Sequence, residues 1–96
     1  MTALPVSFMT RPIAHRGLHD VQNGRPENSS AAIAAAISKG YGIEIDVQLS
    51  KDGAVMVFHD YHLNRLTGQK GAIAQRNAEW LSKVALSGGT GTIPTL

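Results

Sequence analysis

Cysteine is absent from this chain, which removes disulfides and thiolate metal centres and is compatible with a reducing compartment. Aromatic residues are scarce: one Trp, two Tyr and two Phe, none alternating with Lys or Arg as a single-strand stacking groove requires. Charge of one sign is lacking too. Nine Lys and Arg, scattered along the chain, face seven Asp and Glu for a net +2, which is no electrostatic footprint for nucleic acid. The longest apolar run, Ala31 to Ile37, falls far short of the roughly 20 residues of a membrane span. Met1 to Thr10 hold no Lys or Arg ahead of an apolar core and so make no secretory signal. The expectation left standing is a soluble, cytoplasmic globular protein without nucleic-acid partners.

What the chain does have is an ordered set of reactive side chains. His15-Arg16-Gly17 is followed by Pro26-Glu27-Asn28-Ser29, Ile43-Glu44-Ile45-Asp46-Val47, Lys51-Asp52-Gly53 and Phe58-His59-Asp60. Two histidines thus bracket a Glu-x-Asp pair, supplying proton donors and acceptors, a cationic anion clamp and two hard oxygen ligands. These are the parts needed to hydrolyse a phosphodiester beside a divalent metal ion.

The local pattern places these groups on secondary structure. Ile13-Ala14-His15 reads as a first buried strand with His15 at its carboxyl end. Gly17 to Arg25 has no apolar period and reads as a loop. An alanine-rich helix is expected over 29–39, with Asn28 as N-cap, Lys39 in the last turn and Gly40 after it. Ile33 and Ile37 share one face of it, and the surrounding alanines permit close packing on a sheet.

Tyr41 to Leu49 alternates Ile43, Ile45 and Val47 with Glu44, Asp46 and Gln48, which predicts a strand carrying both carboxylates on one face. Carboxylates so placed need a cation, protons or water. Asp52-Gly53 signals a turn and Ala54 to Phe58 the next strand. A two-residue hairpin would set His59 opposite Asp46, and a parallel arrangement would bring both to the carboxyl ends of their strands. A loop over 63–71, a second helix over 75–86 and a flexible glycine-rich connection over 87–91 complete the expected order, with no internal repeat.

Each group has a bland reading to weigh. His19 and His62 read as ordinary polar loop residues. His15 and His59 each end a buried strand before a charged residue, the placement of an acid/base pair. Glu-x-Asp alone is commonly a solvated face, but here the alternating partners are apolar, and hard oxygen ligands favour Ca²⁺, Mg²⁺ or Mn²⁺. Arg16 carries a planar fork suited to phosphate. Glu27 and Asn28 shape and cap the helix start, and Asp60 orients His59 or begins a turn.

Taken together the residues resemble the glycerophosphodiester phosphodiesterase family. The resemblance runs through the motifs above, Ser50-Lys51-Asp52-Gly53 and Leu63-Asn64-Arg65-Leu66-Thr67-Gly68, and extends more weakly through Ala78-Glu79-Trp80-Leu81 to Ile93-Pro94-Thr95-Leu96, covering about residues 11–96. Val21 to Arg25 reads as a variable loop, and Leu66 stands where threonine is more usual. The resemblance implies a (β/α)₈ barrel of the phospholipase C-like phosphodiesterase type with its site at the carboxyl-terminal face. It implies His15 and His59 as the general acid/base pair, Arg16 as phosphate ligand, and Glu44 with Asp46 as holders of Ca²⁺ or Mg²⁺. The substrate implied is a small-molecule glycerophosphodiester, cleaved to sn-glycerol 3-phosphate and an alcohol.

Length sets the larger departure from that family. A barrel of roughly 250 residues cannot close with the first strands and helices alone. We therefore expect residues 1–96 to be the amino-terminal part of one such domain, truncated before a third metal carboxylate, and to need the missing carboxyl-terminal portion or self-association for stability. Two other readings stay open: a phospholipase C- or D-like relative with another head group, and a non-catalytic phosphate-binding barrel remnant.

Overall fold

A computed structural model describes residues 13–96; Met1 to Thr10, read above for a secretory signal, and Arg11-Pro12 lie outside the described residues. The first layer is a βαβ unit. Strand β1 (Ile13–His15) runs parallel to β2 (Gly42–Glu44) in the register Ile13 with Gly42, Ala14 with Ile43 and His15 with Glu44. Parallel strands need a crossover, and helix α1 (Ser30–Ser38) supplies it. The first strand is less buried than its apolar composition predicts, since only Ala14 is enclosed and Ile13 remains 50% exposed.

Helix α1 matches the predicted span, but its details differ from expectation. Its N-cap is Ser29, whose Oγ accepts the Ala32 N–H at 3.1 Å. Asn28 stands one residue earlier at φ 55°, with its side chain committed elsewhere. The buried face is Ala32 and Ala36, both fully enclosed, whereas Ile37 is 65% exposed. The reason is steric. Gly17, at φ 75°, runs so close beneath α1 that an added Cβ would sit 2.9 Å from the Ala32 carbonyl carbon, and only small side chains allow that approach. The Leu18 N–H donates to the Ala32 carbonyl at 3.0 Å, tying the loop after β1 to the helix. Ile33 and Ile37 instead border an apolar groove of about 430 Å³, with Ile43, Ile45 and Val57 on its other walls.

The strand expected over 41–49 is interrupted. Ile45 and Asp46 leave the ladder, and β3 (Val47–Leu49) pairs antiparallel with β4 (Val55–Val57), Val47 opposite Val57 and Leu49 opposite Val55. Glu44 and Asp46 therefore do not share one face of one strand. Antiparallel pairing is observed, yet Ser50 to Ala54 form the connection instead of a two-residue turn, and the register is one residue from that placing His59 opposite Asp46. The Phe58 N–H donates to the Asp46 carbonyl at 2.9 Å, so Phe58 and not His59 faces it. A polar clasp explains the longer loop: Ser50 Oγ accepts the Ala54 N–H and donates to Asp52 Oδ1, which also accepts the Ala78 N–H at 2.9 Å. Ser50-Lys51-Asp52-Gly53 is thus a structural clasp that ties the hairpin to the next helix.

The chief core lies beneath this hairpin, where Met56, Phe58, Leu63, Ile73, Leu81, Val84, Leu86 and Ile93 pack together. The helix expected over 75–86 is reduced to α2 (Ala78–Leu81), preceded by a 3₁₀ turn at Ile73–Gln75. Val84 and Leu86 alternate into the core from extended backbone bridged to Thr67 and Thr92, a placement that helical spacing would forbid. The glycine-rich run after Leu86 is packed as well. Gly89 lies so close to Pro26 that a Cβ would fall 2.8 Å from its ring, and the Ser87 N–H donates to the Leu66 carbonyl.

Replacing Gly17 by Ala should destabilise the chain by about 1–3 kcal/mol, because it adds both left-handed strain and a backbone clash with α1. A urea unfolding midpoint unchanged from wild type would show that the loop and helix can part at no cost.

Candidate active site

The site residues gather where β1 and β2 end and the β3–β4 hairpin begins. Parallel pairing sets His15 beside Glu44, and His15 Nε2 lies 3.5 Å from Glu44 Oε1 with both side chains more than half in contact with solvent or nearly so, at 59% and 50% exposure. Just beyond β1, Arg16 takes φ 58° and Gly17 φ 75°, and the Arg16 carbonyl accepts the Asn28 N–H at 2.8 Å. Arg16 and Asn28 are the two non-glycine residues with positive φ among those described, and each costs on the order of 1 kcal/mol of backbone strain. That strain is offset by what their side chains reach.

Buried Asn28 grips Asp46 at two points. Its Nδ2 donates to Asp46 Oδ2 at 3.2 Å and its Oδ1 accepts the Asp46 N–H at 3.2 Å. The second bond takes the Asp46 N–H out of the sheet, which is why the predicted strand breaks there. Arg16 Nε sits 3.3 Å from the same Asp46 Oδ2, but it is buried and off the line a hydrogen bond requires, so this contact is ionic. Arg16 Nη1 donates to Glu27 Oε2 at 3.0 Å.

Glu27 joins this half of the site to the other. Arg65 Nη1 donates to Glu27 Oε1 at 2.8 Å and Nη2 to Oε2 at 3.2 Å. The same guanidinium holds Asp60, through Nε to Oδ2 at 2.9 Å and Nη2 to Oδ1 at 3.0 Å. Asp60 Oδ1 in turn lies 2.6 Å from His59 Nδ1. Arg65 is the residue that motif reasoning passed over as part of a loop; its cue is the Arg in a run flanked by buried Leu63 and Thr67.

The charges respond to these contacts. Hydrogen bonding from Arg65 outweighs partial burial and, with the bond to His59, draws Asp60 down to about 2 from an ordinary 3.8. Burial works to raise Glu27, yet the Arg65 hydrogen bond and the charges of Arg65, Arg16 and His59 prevail and leave it below its usual value. Both carboxylates are therefore anions at neutral pH.

All eight residues singled out in the sequence lie in this region, although they divide into sub-clusters. His15 meets Glu44, Asp46 meets Asn28 and Arg16, and His59 meets Asp60. Among the described residues no hydrogen bond or ion pair joins His59 to Glu44 or Asp46, and no group of three or more His, Asp or Glu side chains converges as a metal cage. The donor chemistry of Glu44 and Asp46 nonetheless suits a hard cation, and both protein contacts to the Asp46 carboxylate use Oδ2, leaving Oδ1 to another partner. His19, read from the sequence as a plain loop residue, lines a recess of about 260 Å³ with Pro26, Glu27, Arg65 and Leu66. A second hollow of about 400 Å³ opens on His59, Tyr61, His62 and Gln48.

The sequence model of the Glycerophosphoryl diester phosphodiesterase family matches residues 15–95, which takes in every one of these side chains. The chain belongs to this family. It is 43% identical over 76 residues to a glycerophosphodiester phosphodiesterase of Bacillus altitudinis, covering 78% of this chain and 30% of that protein. A human glycerophosphodiester phosphodiesterase 1 is 36% identical over 74 residues, with 75% of this chain and 21% of that protein covered. Among solved structures, an Oleispira antarctica phosphodiesterase in complex with the product sn-glycerol-3-phosphate superposes with TM-score 0.77 at 35% identity, over 94% of this chain and 39% of the other. The chain thus spans about a third or less of the length of the curated relatives it matches. No helix among the described residues is long and apolar enough to cross a membrane.

The lowered Asp60 gives a pH signature for this family member. A carboxylate whose folded-state value is depressed adds stability that is present above its ordinary value and lost as pH falls through the folded one. Unfolding free energy should therefore drop between about pH 4 and pH 2, and Asp60→Asn should flatten part of that drop. Parallel pH profiles for the two proteins would refute the ion-paired state of Asp60.

Proposed function

We propose that this chain carries the first part of a metal-dependent glycerophosphodiester hydrolase that releases sn-glycerol 3-phosphate and an alcohol. The observation that carries the reading is the unbroken run of contacts from Asn28 through Asp46, Arg16, Glu27, Arg65 and Asp60 to His59, with the His15–Glu44 pair standing apart from it at the ends of β1 and β2. Family membership and a product-bound neighbour support the substrate class. The βαβ unit is in keeping with the opening of a (β/α)₈ barrel, whose sites lie where parallel strands end.

In this reading Glu44 and the free oxygen of Asp46 hold Ca²⁺ or Mg²⁺, together with water, substrate and at least one further ligand. Such an ion neutralises phosphoryl oxygens and lowers the pKa of a bound nucleophile. Arg16 meets the phosphate with the N–H groups left free by Glu27 and Asp46, which also keep its fork oriented. As the attacking water oxygen bonds to phosphorus, one histidine takes its proton; the other gives a proton to the alcohol oxygen as the phosphorus–oxygen bond breaks. His59, with Nδ1 on Asp60, presents Nε2 for this transfer. His15, beside Glu44 at the end of β1, is its counterpart.

The test is release of sn-glycerol 3-phosphate from glycerophosphocholine, with Ca²⁺ or Mg²⁺ and then with chelator, using the 96-residue chain and the longest natural form of the protein. Chelator-sensitive product is expected from the longest form. Absence of product from both would shift the assignment to another head group or to a phosphate-binding role. In the active form, His15→Ala and His59→Ala should each lower turnover at least about a hundredfold. Glu44→Ala and Asp46→Ala should abolish the dependence on added metal, and an unchanged metal titration would remove them as ligands.

A further inference from the structure

Arg65 lies in the Leu63–Gly68 run, which contains no carboxylate or imidazole. Its backbone is nevertheless tightly fixed. Leu63 is fully buried, and the Thr67 N–H and Oγ1 both donate to the Leu63 carbonyl, at 3.0 and 2.8 Å. Thr67 Oγ1 also accepts the Gln69 N–H at 3.0 Å, closing the turn on itself. The arginine between these anchors is half exposed, at 51% of its side chain, so it fills no core. Four hydrogen bonds from one planar guanidinium to two carboxylates on different segments are its whole structural occupation.

Each of the two carboxylates it grips contacts a reactive group. Asp60 touches His59 Nδ1, and Glu27 touches Arg16 Nη1. A carboxylate that accepts an imidazole N–H fixes both the tautomer and the ring plane. Left to itself, a partly buried Asp one residue from its histidine could swing to water. Arg65 occupies both its oxygens and removes that freedom.

Resting on the function proposed above, we propose that Arg65 is a positioning residue for His59 and Arg16: it clamps Asp60 and Glu27 in one fork, so that the acid/base imidazole and the phosphate-binding guanidinium are mounted on a single frame. Lysine could not replace it, because an ammonium cannot span two carboxylates with paired, coplanar bonds.

The experiment compares Arg65→Ala, Arg65→Gln and Arg65→Lys in the longest natural form of the protein. Steady-state glycerophosphocholine hydrolysis, thermal unfolding and the ¹⁵N spectrum of the His59 ring are measured for each. The expected result is a kcat at least about tenfold lower in all three with KM changed less than about threefold, recovery by millimolar guanidinium in Arg65→Ala, and a His59 ring that passes from one neutral tautomer, protonated at Nδ1, to a mixture. The proposal is overturned if the His59 tautomer is unaltered in Arg65→Ala, or if kcat falls only as far as the lost thermal stability accounts for. Should the wild type hydrolyse no glycerophosphodiester, the reaction assigned above fails, and the ring spectrum still decides whether Arg65 positions His59.

Discussion

The two-point bond between Asn28 and Asp46 is the constraint on which the rest of this structure turns. Asn28 is buried and sits at φ 55°, a conformation Asn tolerates better than most residues, and its amide satisfies both the backbone N–H and the carboxylate of Asp46. Each such bond contributes only about 1 kcal/mol net, but leaving a buried amide unpaired would cost about 1–3 kcal/mol, so the pair favours the observed placement of Asp46. Because that bond diverts the Asp46 N–H from the ladder, β2 ends, the chain turns, and β3 begins a separate hairpin.

That break has a chemical consequence. A continuous strand would have carried Glu44 and Asp46 side by side. In the observed chain Glu44 stays in register with His15, while Asp46 moves to the Arg16 and Asn28 side. One carboxylate is therefore associated with a titratable imidazole and the other with a permanent cation. Both remain close to the end of the parallel pair.

Two layers of different make-up support this arrangement. The βαβ layer packs through Ala32 and Ala36 and the close approach of Gly17, a thin contact that buries little apolar area. The hairpin layer holds the dense cluster of Phe58, Met56, Leu63, Ile73, Leu81 and Ile93. His59 and Asp60 follow directly from the denser layer, and Arg65 and Glu27 tie the two layers through a pair of charged hydrogen bonds. The apolar groove beside Ile33, Ile37, Ile43 and Ile45 marks the thin layer as the less fully covered one.

The sequence by itself determined the identities and order of the reactive residues, the alanine-rich helix α1, the strand before His59 and the turn at Asp52-Gly53. These follow from local physics: helix propensity, period-two alternation and turn chemistry act over a few neighbours and are legible there. The tertiary structure alone decided that Ser29 and not Asn28 caps α1, that the strand breaks at Asp46, that the hairpin register is shifted by one residue, and that the expected second helix shortens to Ala78–Leu81. It also decided that Arg65 joins the site. Each of those outcomes depends on a hydrogen bond or a packing contact between residues far apart in the chain, and no local pattern encodes the partner that a side chain meets only after the chain has folded.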